Sequence, residues 1–218
     1  MLVPVSTDLA PTPSFPRGIR VETLPVASEV VRIHLNTNGP VWFGPAPGLA
    51  PKYRFDAPSG EYRVCYAAQR LEGAFVESIL HGCAKTTILA RAFVEERSYC
   101  HLKVGRDLRL AKLYDDGLLF HCTDAAISAC DDYAEPRRVA LALFTEAATP
   151  LDGIAYRSRH NNGELCFALF SRVDPSDLPE AGSPSRFDMN QAIVDQLALK
   201  YGMAFDTSKP VPKPSESL

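Results

Sequence analysis

Ile154-Ala155-Tyr156-Arg157-Ser158 and Leu165-Cys166-Phe167-Ala168-Leu169-Phe170 read as two strands. Between them lies Arg159-His160-Asn161-Asn162-Gly163-Glu164, a run of turn-favouring residues. This is an antiparallel hairpin with a polar tip. Upstream, Val30 to Leu35 alternates as a short strand, and a Pro/Gly-rich loop follows through Pro51. Long connections of this kind in a compact domain are usually binding loops. Gly60 to Ala67 gives a second strand centred on Tyr62 to Tyr66. From about Ala68 to Gly82 the spacing of Leu71, Ala74, Phe75, Ser78 and Ile79 predicts a helix.

Further along, Ile88 to Arg97 reads as a short helix, and Tyr99–Val104 and Leu108–Ala111 as strands. A weaker helical segment follows the Asp115-Asp116-Gly117 turn. A longer helix is expected from Asp131 to Ala147, with Pro136 tolerated only in its first turn. A last helix spans Phe187 to Lys200. Strands and helices mix without regular βαβ alternation. The fold class is therefore α+β, a single domain whose mixed, mostly antiparallel sheet is flanked by helices. Residues 1–25 read as a flexible Pro-rich leader, 26–205 as the domain and 206–218 as a disordered tail.

The 218 residues carry 23 Lys plus Arg against 26 Asp plus Glu, a net charge of -3, so no global basic field favours nucleic acid or an anionic membrane. Any bound anion needs a local cluster. No stretch approaches the roughly 20 apolar residues of a membrane span, and no signal peptide is evident, so a cytoplasmic protein is expected. The six cysteines show no C-x-x-C pair and read as free core thiols. Cys100-His101 with His121-Cys122 is the one set that could converge on zinc. Adjacent strand residues point to opposite faces, which argues against it, and no metal is expected.

Nucleotide-binding and nucleophile signatures such as G-x-G-x-x-G, G-x-x-x-x-G-K-[ST], G-x-S-x-G and H-E-x-x-H are missing. What stands out is arginine beside tyrosine at strand ends and loops: Arg32, Tyr53-Arg54-Phe55, Tyr66, and Tyr156 through Asn162. Guanidinium groups grip phosphate in bidentate fashion and neighbouring rings offer stacking faces. The competing interpretation is a solvated polar strand edge. Glu77 lies beside the apolar stripe of its helix, where a carboxylate is either paired or kept for function. Arg54 is the expected partner. A surface glutamate with His81 at i+4 is the alternative.

In order along the chain stand V-V-R-I-H (Val30–His34), Y-R-F-D (Tyr53–Asp56), V-C-Y-A-A (Val64–Ala68), A-F-V-E-S (Ala74–Ser78) and D-G-I-A-Y-R-S-R-H-N (Asp152–Asn161). From Arg32 to about Arg172 the chain thus resembles a RES domain, named for an Arg, a Glu and a Ser and found in NAD-degrading toxins of bacterial toxin–antitoxin pairs. The resemblance implies an ADP-ribosyltransferase-like fold and cleavage of the nicotinamide N-glycosidic bond, as an NAD phosphorylase or glycohydrolase. NAD would be the substrate rather than a cofactor, with inorganic phosphate as a candidate co-substrate.

By the same resemblance, Arg32 and Arg54 are pocket arginines, Tyr66 lines the nicotinamide-ribose end and Glu77 is the family glutamate. Ser158 is the candidate serine. The alternative is the helix start near Tyr133, where this chain has Ala134-Glu135-Pro136. Phe55 would pack on the nicotinamide or ribose. Ser158 and Asn161 would hydrogen-bond the ribose or phosphate oxygens, and Arg157 and Arg159 would join the arginine cluster. Tyr53-Arg54-Phe55-Asp56 stands where shorter toxins have Gly-Arg-Trp-Asn, which keeps an arginine and an aromatic but changes both flanks. A small antitoxin covering the pocket is implied, and homo-oligomerisation is left open. A protein mono-ADP-ribosyltransferase and a non-catalytic nucleotide- or partner-binding module are the competing functions.

Overall fold

A computed structural model describes residues 13–81, 87–146 and 148–206. In chain order the strands are β1 (Val21–Leu24), β2 (Glu29–Leu35), β3 (Val64–Ala68), β4 (Ile88–Ala90), β5 (Arg97–Lys103), β6 (Leu108–Leu113), β7 (Gly153–Arg157), β8 (Leu165–Phe170), β9 (Ser185–Arg186) and β10 (Ala204–Asp206). The helices are α1 (Leu71–Phe75), α2 (Arg91–Glu95), α3 (Asp116–Phe120), α4 (Ala126–Ala129), α5 (Ala134–Thr145) and α6 (Gln191–Lys200). Eight strands form one sheet in the order β1-β6-β7-β8-β3-β2-β5-β9, and β4 with β10 forms a small parallel pair. Within the large sheet only β6 and β7 run parallel. The α+β class with a mostly antiparallel sheet therefore holds.

Alternation along each strand sorts the core onto two faces. On one face Val31, Ile33, Ile154 and Tyr156 pack under Ala74, Phe75, Ile79, Val139, Leu143 and Val194, which come from the helices. On the other, Val30, Cys65, Ala67, Cys100, Leu102 and Leu169 are covered by Phe43 of the Pro-rich loop and by Val173 and Leu178. Fully burying a large apolar side chain such as Phe75 or Leu102 stabilises by about 1.5–3 kcal/mol. Both faces are thus fixed, and with them the side toward which each strand residue points.

The hairpin pairs Gly153 with Leu169 through Arg157 with Leu165, and Ser158 N donates to Glu164 O just beyond the last pair. Next to it, β3 pairs with β8 along its whole length but meets β2 at one register pair, Val31 with Ala68. The two strands splay beyond it, and Arg32 fills the gap.

Several segments differ from the sequence expectation. Val21–Leu24, placed in the flexible leader, pairs antiparallel with β6 as an edge strand. The rest of that expectation, residues 1–12, lies outside the described residues, as does the tail from Thr207. The helix expected from Ala68 begins at Leu71, because β3 runs through Ala68, and it changes to a π-helical turn at Val76–Leu80. Its expected end at Gly82 is outside the described residues. The Ile88–Arg97 helix divides into β4 and α2. In α5, Pro136 falls in the first turn, where its missing N–H has no intrahelical partner to lose. Ala147, the expected end of that helix, is also outside the described residues. The Phe187–Lys200 helix starts as a 3-10 turn, Phe187–Met189, before α6. Cys100 is buried and Cys122 exposed, and no cluster able to hold a metal occurs among the described residues.

Candidate active site

Glu77 sits in the π turn that continues α1. Such turns widen the helix by one residue, re-aim the side chains that follow, and recur at functional sites. The half-buried carboxylate is reached from the end of β7. Ser158 Oγ donates to Oε1 at 2.7 Å and Tyr156 Oη donates to Oε2 at 3.2 Å. Both donors are buried, and period-2 alternation brings residues 156 and 158 to the same side. Burial, reinforced by the Glu77 charge, holds the Tyr156 phenol far above its ordinary range, so it stays a donor. The carboxylate is thus oriented by two hydroxyls and not neutralised by them.

Arg54, expected to pair with Glu77, takes another partner. Its Nη1 donates to Cys130 O at 2.9 Å, and its guanidinium lies 4.6 Å from the centre of the Tyr133 ring. Tyr133 Oη meets His81 Nε2 at 2.9 Å. Burial lowers the His81 pKa, with Glu77 pulling it up and Arg54, His160 and Arg159 adding to the lowering. Arg159 also reaches Cys130 O, at 3.5 Å, and binds Asp131 at 2.6 Å. Glu77, Arg54, His160 and Arg159 thus all act electrostatically on His81. Among the described residues no acid pairs with Arg54.

The other candidates are placed as follows. Phe55 is fully buried and packs edge-on against Tyr156, with ring centres 5.0 Å apart, so it supports a donor to Glu77 and offers no face to a substrate. Tyr66 Oη accepts from Phe55 N at 3.0 Å and donates to Asp56 at 3.1 Å, and its ring edge meets Tyr53 at 5.6 Å. Arg32 alternates with Val31 and Ile33 and approaches the sheet from the face opposite the Glu77 helix. Its guanidinium donates to Cys65 Sγ at 3.0 Å, Tyr66 O at 2.8 Å and Trp42 O at 3.0 Å, stitching the gap between β2 and β3 to the Pro-rich loop.

Arg157 points away from Glu77. It lies 4.8 Å over the Tyr114 ring and 3.7 Å from Asp115, in a groove of about 500 Å³. Asn161 bonds Tyr201 Oη at 3.0 Å and steadies the hairpin tip. The structure thus joins Glu77 to Ser158 and Tyr156, backs Tyr156 with Phe55, links Arg54 to Glu77 through their common influence on His81, and sets Arg32, Arg157 and Asn161 apart.

A family model described as the RES domain matches residues 29–190. The chain belongs to the RES domain family. Among solved structures this RES domain is similar to a chain of the M. tuberculosis MbcT-MbcA toxin-antitoxin complex. The two are 15% identical with a TM-score of 0.62, and the match covers 81% of this chain and 92% of that one. At that identity the likeness speaks for the fold alone. No curated protein is significantly similar to the chain.

Sequence reasoning passed over His81 and Tyr133 as site residues, and singled out Tyr156 and Arg159 only as members of the Arg- and Tyr-rich run at the hairpin. Tyr156 had a local signal, two positions before Ser158 on one strand. The Arg54–Tyr133 contact had none, since it joins a loop to a helix start far along the chain.

Proposed function

We propose that this RES domain cleaves the nicotinamide N-glycosidic bond of NAD and passes ADP-ribose to water or inorganic phosphate. The observation that carries the reading is the Glu77 carboxylate, aimed by Ser158 and Tyr156; Arg54 acts on the same histidine, His81, as Glu77 does. As the bond breaks, its electron pair leaves with the nicotinamide nitrogen, which becomes neutral, and the ribose gains oxocarbenium character. A fixed carboxylate stabilises that charge or orients the attacking oxygen, as in glycoside hydrolysis. Arg54, held over Tyr133, and Arg159 would hold the diphosphate. Arg32 would act at a distance, by holding the Pro-rich loop against β3. A small antitoxin covering these residues is the partner that fits the reading, and the cytoplasm is where the enzyme would act.

Incubating the purified protein with NAD, with and without phosphate, tests this directly. Free ADP-ribose would mark a glycohydrolase, and its phosphate ester a phosphorylase. Glu77→Gln should abolish either. Intact NAD, or an undiminished rate in the Gln variant, would overturn the proposal, and ADP-ribose attached to protein would replace it with a transferase.

A further inference from the structure

The turn that presents Arg54 is held from inside by a carboxylate. Asp56 is fully buried, and three donors converge on it. Lys52 N and Tyr53 N donate to Oδ2 at 2.9 and 2.7 Å, and the Tyr66 hydroxyl donates to Oδ1 at 3.1 Å. Tyr66 Oη in turn accepts the Phe55 amide at 3.0 Å, and Tyr62 Oη donates to Phe55 O at 3.0 Å. The amides on both sides of Arg54, those of Tyr53 and Phe55, are therefore tied to one buried network. A carboxylate so buried persists only where donors satisfy it, and here they come from the turn itself and from one tyrosine.

We infer that Asp56 is a positioning residue: through the Tyr53 amide and the Tyr66 hydroxyl it fixes the backbone that holds the Arg54 guanidinium over Tyr133, in the orientation that receives the substrate's diphosphate. The diphosphate part rests on the proposed function, whereas the fixing of Arg54 does not. An asparagine in this place would keep an acceptor for both turn amides but present N–H groups to Tyr66. The Tyr66 oxygen already accepts from Phe55, so its own proton would lose its acceptor. The turn would survive while its grip on the Phe55 side loosens.

The test compares Asp56→Asn, Tyr66→Phe, Arg54→Lys and the Asp56→Asn/Arg54→Lys double variant with the wild type. Steady-state NAD kinetics, the NMR signal of the Arg54 Nε–H and the melting temperature are read for each. Asp56→Asn should raise KM about tenfold with kcat within about twofold, and broaden the Arg54 signal. In the Arg54→Lys background it should add less than about twofold, because both substitutions act on one group. Tyr66→Phe leaves both turn amides bonded to Asp56 and should give the same signature, which decides the matter should the asparagine variant not fold. An unchanged Arg54 signal, or a full tenfold loss on top of Arg54→Lys, would overturn the inference. Should the wild type leave NAD intact, the proposed function fails, and the Arg54 signal alone still decides the role of Asp56.

Discussion

Ser158 Oγ donates to Glu77 Oε1 at 2.7 Å, joining the end of a strand to a π turn from a different part of the chain. Ser158 is fully buried, so its route to a substrate is through Glu77. A hydrogen bond to a charged group contributes about 1.5–3 kcal/mol, so Ser158→Ala should lower kcat roughly tenfold to a hundredfold with KM little changed. NAD turnover by the purified variant checks this. A loss carried by KM instead would mean that Ser158 touches the substrate.

Tyr156→Phe removes the longer of the two bonds, at 3.2 Å, and keeps the ring that packs against Phe55. The expected loss is smaller, about 0.5–1.5 kcal/mol, or roughly twofold to tenfold in kcat. Combined with Ser158→Ala the losses should not add, since both donors orient one carboxylate. A double-mutant cycle on kcat reads the coupling.

Gly153 opens β7 against its antiparallel neighbour, and a Cβ there would stand 2.4 Å from Ala168 O and 2.9 Å from Leu169 Cα. Those are backbone atoms of the adjoining strand and cannot turn aside. Gly153→Ala should therefore destabilise by about 1–3 kcal/mol, in spite of the lower chain entropy of alanine in the unfolded state. Thermal unfolding should shift down by about 2–4 °C per kcal/mol in a chain of this size.

Local pattern carried the hairpin and the place of Pro136 in a first turn, because each is fixed by residues close in sequence. The π turn was not legible, since a five-residue segment such as Val76–Leu80 is too short to separate one helical period from another. β1 was hidden by its brevity and by the prolines that flank it, Pro16 and Pro25, and pairing with β6 makes it a strand. At the site, charge complementarity suggested Arg54 for Glu77, but long-range packing gave the carboxylate two hydroxyls and gave Arg54 a carbonyl and a ring. Arg32 read as a pocket arginine. The gap it fills exists because β2 and β3 share one register pair, which no local pattern reveals.

His121 sets an acid limit on stability. It is buried, and its Nε2 accepts the Arg20 amide at 2.9 Å, which requires an unprotonated nitrogen there. Burial pushes its pKa below the ordinary 6.5, against weaker hydrogen-bonding influences that raise it. His81 is lowered too, by burial first. A histidine depressed in the folded state gives stability that is complete above the unfolded pKa and declines as pH falls below it, because the unfolded chain then binds a proton that the folded one refuses. The melting temperature should be flat from about pH 8 to 7 and fall below about pH 6.5. His121→Gln, which retains an acceptor but cannot titrate, should flatten that limb and leave only the His81 share. The loosening should begin beside Arg20, whose carbonyl accepts Lys112 N at 2.9 Å just before β1. Hydrogen exchange corrected for intrinsic rates should therefore show the β1 amides opening at about pH 5.5 before the β7–β8 ladder does. Equal protection of β1 at about pH 7.5 and 5.5 would rule this out.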